Sequence, residues 1–241
     1  MRVDQLLVRR GLAETRAKAQ AAIAAGGVTA NGAPVTKPGA IMEEDAALAL
    51  TPPHPWVSRA GVKLAHALAA FGVNPEGQIC LDVGASTGGF TQVLLAKGAA
   101  QVFAIDVGSG QLHARLAADP RVTSMEAVDA RDLTPEMLGA APSLIVADVS
   151  FIGIAKALPA ALALAASNAD LIALIKPQFE AGPNAGKAGV LPERIAREAA
   201  GAAIAGLDGM SGFAVRAFCD SPIRGGDGNL EILAHARRSV S

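Results

Sequence analysis

The first fifty residues carry short apolar patterns that predict a small mixed domain. Apolar side chains recur at helical spacing from Val3 to Gly11 and again from Thr15 to Gly26, and each run ends at a glycine. Residues 28–32, which contain an Asn-Gly turn, and residues 46–51 are typical of short strands. The pattern therefore predicts two helices followed by a small sheet.

The rest of the chain alternates between strand and helix patterns. A helix capped by Ser58 is expected to run to Phe71. Repeated strand–helix units predict a parallel sheet covered on both faces. The last two strands are joined by residues 224–228, too few for a crossover helix, so they should pair as an antiparallel hairpin. The predicted strands are 78–83, 101–106, 122–126, 143–149, 170–175, 213–219 and 229–235, and further helices are predicted at 88–97, 110–118, 152–166 and 190–206.

A proline-rich stretch separates the two patterns. Residues 52–55 read PPHP, which is stiff and does not favour a helix. We therefore expect a small α+β domain at 1–51, a linker at 52–58 and an α/β domain at 59–241.

Positive charge is concentrated at the start of the chain. Residues 1–40 contain six Lys or Arg and two acidic residues, so their net charge is +4 and the remaining residues carry −5 of the total of −1. A basic head on an acidic body favours binding of a polyanion. The alternative is an ordinary solvated helix face.

Composition favours a folded intracellular protein. Hydrophobic residues make up 51% and charged residues 18% of the chain, which is enough for a core and argues against disorder. The N-terminus lacks the apolar core of a signal peptide, and the most apolar helical stretch, 157–166, is too short for a bilayer. Cys80 and Cys219 lack metal or redox spacing. We expect a cytoplasmic protein with no membrane segment and no metal.

The clearest chemical motif is a glycine-rich turn after an apolar strand. Residues 79–90 read ICLDVGASTGGF, and the glycines would let the backbone approach a ligand closely. The absence of Gly-Lys-Ser/Thr disfavours a triphosphate-binding loop. Asp82, at the end of the strand, is placed to accept the cationic amino group of a ligand.

Two further strand ends carry acids. Asp106 ends the second strand, the usual place for a carboxylate that binds ribose hydroxyls. Asp129 follows the third strand and is a candidate for the adenine end of a ligand. Together with the turn, Asp106 favours S-adenosylmethionine as the ligand. A dinucleotide-binding oxidoreductase, or an ordinary tight turn, is the alternative.

Four other charged residues fall at positions that a parallel sheet brings to one edge. Asp148 and Lys176 each follow a buried strand, Glu231 lies in the final hairpin, and Lys63 lies on the helix that enters the second domain. Ligands of such sheets bind beyond the carboxyl ends of the strands. Each residue alone fits a structural ion pair equally well.

The motifs resemble a known family. Lys63, Asp148, Lys176 and Glu231 match the Lys-Asp-Lys-Glu tetrad of FtsJ-type ribose 2′-O-methyltransferases in order and context. The whole chain resembles the two-domain TlyA family of rRNA methyltransferases, also called hemolysin A, which has an S4-like head. Ala60 stands where that family usually has glycine, and Asp129 where it usually has asparagine. The matching segments are 2–4, 27–28, 31–32, 35, 37–38, 57–64, 82–90, 148–151, 175–180 and 228–231.

The resemblance implies a fold, a cofactor and a substrate. The fold would be a Rossmann-like class I methyltransferase sheet, mainly parallel with a C-terminal antiparallel hairpin, preceded by an S4-like RNA-binding domain. The reaction would be S-adenosylmethionine-dependent 2′-O-methylation of cytidine in 16S or 23S rRNA, with ribosomal RNA or subunits as partners, no membrane and no obligate protein partner. The expected cofactor contacts are Asp82, Gly84, Ser86, Gly88, Gly89, Phe90, Asp106, Val107, Asp129 and Asp148, and the expected RNA contacts are Arg2, Arg9, Arg10, Arg16, Lys18 and Arg59.

The tetrad would supply the catalytic residues. We expect Lys176 to lie next to the target oxygen, as a base or as a cation that stabilises the alkoxide. Asp148 would orient Lys176, and Lys63 and Glu231 would position the ribose. Trp56 and Phe151 could stack on a base, although packing in the core or linker is the expectation for both. The alternatives are methylation of another RNA, a non-enzymatic RNA-binding assembly factor, and, least favoured, a pore-forming cytolysin.

Overall fold

The chain forms two compact units, Met1–Pro55 and Trp56–Ser241. The computed structural model describes residues 1–51, 54–182 and 190–239. Of the expected linker at 52–58, residues 52 and 53 lie outside the described residues, as do 183–189, 240 and 241 of the expected second domain. The expected linker residue Trp56 packs in the second unit, where its indole lies so close to Gly61 that a β-carbon there would collide with it.

The first unit consists of two helices and a small antiparallel sheet. The hydroxyl of Thr15 accepts a hydrogen bond from the backbone N–H of Lys18 and so caps the second helix. Val3, Leu7 and Val28 lie in the apolar core. The elements are α1 Val3–Arg9, α2 Arg16–Ala24, β1 Val28–Ala30, β2 Ala33–Pro34 and β3 Leu48–Leu50, and within residues 1–51 the sheet order is β2-β1-β3. The predicted order of helices and strands is confirmed.

A buried carboxylate joins the two helices of this unit. Asp4 on α1 is fully buried and accepts hydrogen bonds from Arg2 at 3.0 Å, Arg16 at 2.8 Å and Gln20 at 2.8 Å. These donors, the bond from Arg2 above all, hold the pKa of Asp4 well below its ordinary value. Arg2 and Arg16, expected to contact RNA, therefore also compensate a buried charge in the fold.

The second unit is built on one sheet. Its strands are β4 Ile79–Val83, β5 Gln101–Asp106, β6 Val122–Glu126, β7 Leu144–Ala147, β8 Asp170–Ile175, β9 Phe213–Asp220 and β10 Ile232–Arg238. In the described residues these strands have the order β6-β5-β4-β7-β8-β10-β9. The first five in this order are mutually parallel, and β10 is antiparallel to β8 and β9. The predicted parallel sheet with a final antiparallel hairpin is confirmed.

Helices cover both faces of this sheet. On one face, α10 and the helices after β7 bury their alanines and leucines against the sheet. On the other face, α3 and α4 do the same. Strand side chains alternate between the faces, so Leu81 belongs to the first cluster and Cys80 to the second. The helices are α3 Ala60–Phe71, α4 Gly89–Ala96, α5 Ala114–Ala117, α6 Pro135–Leu138, α7 Ile154–Ala157, α8 Pro159–Ala163, α9 Pro177–Glu180 and α10 Glu193–Leu207.

Several predicted elements are shorter than expected. The helix predicted at 110–118 is limited to α5, because the carboxylate of Glu126 binds the backbone N–H groups of residues 110–112. The helix predicted at 152–166 is divided into α7 and α8, since Pro159 lacks the N–H that a continuous helix requires. The strand predicted at 229–235 begins only at Ile232.

The entry to α3 also differs from the prediction. The N-cap is Arg59, without a side-chain hydrogen bond, so Ser58 is not the cap. The hydroxyl of Ser58 lies against Gly89 at the start of α4. A β-carbon at residue 89 would collide with that hydroxyl, so glycine allows α3 and α4 to meet closely at their first turns.

Candidate active site

Strand order reverses between β4 and β7, and the site lies at their carboxyl ends. Val83 pairs with Ala147 in this register, and the N–H of Asp148 donates to the carbonyl of Val83 at 2.9 Å. The residues that follow, Gly84 and Asp148, therefore meet at one point of the sheet edge. Such a reversal opens a crevice in which parallel sheets bind ligands.

The glycine-rich turn exposes backbone at this crevice. Gly84 has φ +83, and a β-carbon there would stand 2.6 Å from the carbonyl oxygen of Asp148. Gly88 has φ +93 and is the N-cap of α4. A side chain at either residue would strain the backbone and collide with its surroundings, which are the carbonyl of Asp148 at Gly84 and the side chains of Leu112 and Leu116 at Gly88. Ser86 also has a positive φ, and its N–H donates to Asp106 Oδ2 at 2.8 Å.

A buried carboxylate lies beneath the turn. Asp82 is fully buried, and its Oδ2 accepts a hydrogen bond from the Thr91 hydroxyl at 2.6 Å. Its Oδ1 accepts no hydrogen bond from the described residues. Burial raises the pKa of Asp82 to about 7, because water no longer stabilises the charged form. An acceptor of this kind suits a cationic group brought close by a ligand.

The shifted pKa of Asp82 predicts a pH dependence of stability. Because the folded-state pKa lies above the unfolded one, Asp82 contributes stability below pH 4 that is lost as the pH rises towards 7. Asp82→Asn keeps an acceptor for Thr91 and carries no charge. We expect the variant to gain stability relative to wild type by up to about 1.4 kcal/mol per pH unit over this range. Urea unfolding at pH 5 and pH 8 measures the difference, and equal pH slopes for the two proteins would contradict the assignment.

The second strand end forms a tightly held acidic loop. Asp106 accepts hydrogen bonds from the N–H groups of Ser86 and Gly108, at 2.8 and 2.7 Å. Glu126, at the end of β6, accepts the N–H groups of residues 110–112, and these bonds lower its pKa. Val107 between them is 70% exposed. Glu126 was not among the residues singled out in the sequence. It ends β6, just as Asp106 ends β5 and Asp82 lies near the end of β4.

The carboxylate of Asp129 already accepts hydrogen bonds from Arg131. Its carboxylate accepts hydrogen bonds from the backbone N–H of Arg131 at 2.9 Å and from the guanidinium at 2.6 Å. The side-chain hydrogen bond from Arg131 is the main reason that the pKa of Asp129 falls to about 2. A ligand at this loop would meet an acid already neutralised by an arginine.

The four charged residues singled out in the sequence form two ion pairs. Lys176 Nζ lies 2.6 Å from Asp148 Oδ1 and donates to the Ser150 hydroxyl at 2.8 Å. Lys63 pairs with Glu231, and both side chains are buried. Ile232 pairs with Ile175 in the sheet, so the next step of this antiparallel register places Glu231 across from Lys176.

A cavity of about 180 Å³ joins the turn to the first of these pairs. It is lined by residues 84–87 of the turn, by Ser58 and Phe90, and by Asp148, Ser150 and Lys176. The structure therefore brings the glycine-rich turn and the Lys176–Asp148 pair to the same cavity. Neither Lys63, on α3, nor Glu231, at the neighbouring strand end, is among the residues that line it.

The family follows from a match over this whole unit. Residues 56–238 match the model of the FtsJ-like methyltransferases. The chain belongs to the FtsJ-like methyltransferase family. Residues 1–46 match the S4 domain, so the FtsJ-like unit is preceded by an S4 unit.

Relatives of the FtsJ-like chain share both units. It is 45% identical to the 16S/23S rRNA (cytidine-2′-O)-methyltransferase TlyA of Mycobacterium tuberculosis, over 98% of this chain and 89% of that protein. It is 42% identical to Hemolysin A of Brachyspira hyodysenteriae, over 98% and 99%. A solved structure from Streptococcus thermophilus covers all of this chain with a TM-score of 0.72 at 38% identity, and 89% of that chain is covered. The resemblance to the TlyA family is thereby confirmed.

One aromatic residue of the FtsJ-like unit is unexpectedly exposed. Phe151 is 90% exposed and has φ +66, a conformation that non-glycine residues rarely adopt. Its ring lies 5.0 Å from that of Phe179 at an angle of 45°. The expectation that Phe151 packs in the core is wrong, whereas Trp56 packs against the core as expected.

The expected RNA contacts of the S4 unit already have partners within that unit. Arg9 makes two hydrogen bonds to Glu44, Arg10 donates to the carbonyls of residues 44 and 46, and Lys18 pairs with Glu14. Exposed pairs of this kind contribute little to stability, so a phosphate can replace the acid at small cost. In the FtsJ-like unit, Arg59 is exposed beside Gly226.

The described residues contain neither a membrane-spanning helix nor a metal-binding group of side chains. No helix among them has the length and apolar character needed to cross a bilayer. No group of three or more His, Cys, Asp or Glu side chains in the described ranges is arranged to hold a metal ion.

Proposed function

We propose that this chain transfers the methyl group of S-adenosylmethionine to the 2′-OH of a cytidine in ribosomal RNA. The observation that carries the proposal is the single cavity that joins the glycine-rich turn to the Lys176–Asp148 pair. The M. tuberculosis relative, which is 45% identical, is named for the same reaction and substrate, and this supports the proposal. The S4 match over residues 1–46 supports an RNA substrate.

The residues around the turn fit a methyl donor that carries a positive charge and a ribose. Gly84 lines the cavity, and because it lacks a β-carbon it can lie against the carbonyl of Asp148. The unpartnered Oδ1 of Asp82 suits the ammonium group of the donor, and Asp106 lies where ribose hydroxyls are bound in such folds. Val107, exposed beside Asp106, would contact the adenine. When bound, the donor supplies an electrophilic methyl group on a sulfonium.

Lys176 acts on the acceptor oxygen. A lysine ammonium has three N–H donors. Lys176 donates one hydrogen bond to Ser150 and lies at ion-pair distance from Asp148, so an N–H remains for the ribose. Directed at the 2′-oxygen, this N–H stabilises the negative charge that develops as the hydroxyl loses its proton to a carboxylate oxygen of Asp148. Asp148 holds Nζ in place, so the amine does not have to be ordered during the reaction.

The buried Lys63–Glu231 pair supports this arrangement from the adjoining strand end. Removal of one partner would leave a buried charge without compensation, which is strongly destabilising. The strand register places Glu231 across from Lys176, so the charges of the Lys63–Glu231 pair also act on Lys176 Nζ. We assign it a role in positioning the ribose and the catalytic lysine.

Recognition of the RNA would combine charge with stacking. Arg2, Arg9, Arg10, Arg16 and Lys18 of the S4 unit, and Arg59 of the FtsJ-like unit, are the proposed phosphate contacts, and binding should weaken with salt. The exposed ring of Phe151 stands next to Ser150, which lines the cavity. It is suited to stack on a base that leaves its helix to bring the ribose to Lys176.

The deciding experiment is methyl transfer from a labelled donor. Purified protein, tritiated S-adenosylmethionine and separate pools of ribosomal RNA, ribosomal subunits, transfer RNA and messenger RNA should give label in ribosomal RNA or subunits, followed by mapping of the 2′-O-methyl position. Label confined to transfer or messenger RNA would contradict ribosomal RNA as the substrate. Binding of the donor without transfer to any pool would overturn the reaction.

A further inference from the structure

The loop that carries Phe151 is held by the short segment that follows β8. Ser150 accepts a hydrogen bond from Lys176, the ring of Phe151 lies against that of Phe179, and the N–H of Ile154 donates to Glu180. Three contacts therefore join residues 150–154 to residues 176–180. The segment that positions the catalytic lysine therefore also shapes the loop beside the cavity.

Glu180 makes the last of these contacts. Its Oε1 accepts the N–H of Ile154 at 2.8 Å, at the start of α7. The N-cap residue Gly153 supplies no side-chain cap, so a carboxylate from α9 serves instead. Burial raises the pKa of Glu180, which shows that the carboxyl is partly withdrawn from water.

Gly153 makes room for this carboxylate. A β-carbon at residue 153 would stand 2.8 Å from Glu180 Oε2. Gly153 has φ −69 and ψ 143, a conformation that alanine adopts without strain. Glycine at residue 153 is therefore explained by the space that the Glu180 carboxylate occupies, and not by the backbone conformation of residue 153.

The conformation of the loop needs such support. Phe151 has φ +66 although it is not glycine, and a non-glycine residue in that region is strained. It also exposes a large apolar ring to water. A conformation of this kind persists only when its surroundings hold it. On one side it is held through Asp148 and Ser150, and on the other through the bond between Glu180 and Ile154.

We propose that Glu180 is a positioning residue, which holds the 149–153 loop so that Ser150 and Phe151 face the acceptor nucleotide. Glu180 acts through the N–H of Ile154 and the surface of Gly153, and it does not touch the substrate. The inference rests on the proposed function for its effect on RNA methylation. The conformation that it assigns to the loop can be measured without any reaction.

The test uses the full chain, four variants at Glu180 and Gly153, and one control variant. In Glu180→Ala the loop loses its anchor, and in Glu180→Gln the amide oxygen can still accept the Ile154 N–H. Gly153→Ala displaces the flexible end of the Glu180 side chain and should therefore have a smaller effect than Glu180→Ala, and the double variant Gly153→Ala/Glu180→Ala removes that contact. Glu198→Ala, at an exposed carboxylate of α10 paired with Arg194, is the matched control.

Kinetics should separate positioning from binding of the methyl donor. We expect kcat on RNA to fall on the order of 10- to 100-fold in Glu180→Ala, and by less in Gly153→Ala, with little change in KM for S-adenosylmethionine. Glu180→Gln should restore most of the activity, and Glu198→Ala should equal wild type. The two alanine changes should not be additive, because both break the same contact.

Hydrogen exchange gives a readout that needs no substrate. Peptides that cover residues 149–154 should exchange faster in Glu180→Ala and Gly153→Ala than in wild type, and as slowly as wild type in Glu180→Gln. Unchanged exchange in both alanine variants would overturn the inference, as would a loss of thermal stability with an unchanged kcat. If wild type methylates no RNA, the proposed function fails, and the exchange data still decide whether Glu180 holds the loop.

Discussion

Lys176→Ala is expected to lower kcat for RNA methylation by roughly 100- to 1000-fold, the usual cost of removing a preorganised donor to a developing oxyanion. The variant lacks the N–H that we assign to the ribose oxygen and leaves Asp148 without its partner at 2.6 Å. Both side chains are slightly exposed, at 13% and 15%, so water can replace the amine and the fold should persist. Single-turnover transfer of labelled methyl groups measures the chemical step.

A matched variant makes this result interpretable. Lys97 is exposed at the end of α4, and Lys97→Ala removes the same charge without touching the cavity. We expect it to methylate RNA like wild type. Affinity of Lys176→Ala for S-adenosylmethionine, measured by calorimetry, should stay close to that of wild type. Near-normal turnover in Lys176→Ala would remove this residue from the mechanism.

Gly84→Ala should abolish binding of S-adenosylmethionine and destabilise the protein by about 2–5 kcal/mol. One part of the cost is the positive φ of +83, and the other is a β-carbon 2.6 Å from the carbonyl oxygen of Asp148. Because the colliding atom belongs to the backbone, no side-chain rotation can relieve the contact. The shift would displace the turn that lines the cavity.

The control for this variant shares the backbone strain without the collision. Gly139 has φ +66, and nothing lies within 4 Å of a β-carbon built there. Gly139→Ala should therefore cost only about 1–2 kcal/mol and leave donor binding unchanged. Urea unfolding and calorimetric titration measure the two quantities. Equal stability of the two variants, with normal donor affinity in Gly84→Ala, would contradict the close approach at Gly84.

The strand pattern was predictable because it depends on local spacing. Each buried parallel strand is a short, mainly apolar run that ends at or is followed by a glycine or a charged residue, as in residues 79–84 and 101–106. The hairpin of β9 and β10 followed from the length of one connection. Helix lengths were less predictable, since α5 is shortened by Glu126, whose carboxylate reaches residues that lie earlier in the chain.

The surroundings of individual side chains were the least predictable. Arg2 and Arg16 looked like free cations, yet both are bound to the buried Asp4. Phe151 was expected to pack in the core or linker, yet its ring is 90% exposed, in a loop that Lys176 and Glu180 contact. Neither outcome leaves a signal in the neighbouring sequence.

By itself, the sequence determined the parallel sheet with its final hairpin, the glycine-rich turn and the residue types available for chemistry, because these depend on spacing along one stretch of chain. Only the tertiary structure decided which charges meet. Lys176 pairs with Asp148 and Lys63 with Glu231 through strand order and register. Electrostatic and hydrogen-bond energies fall off within a few ångströms, so these partnerships depend on distances in space that separation along the chain does not fix.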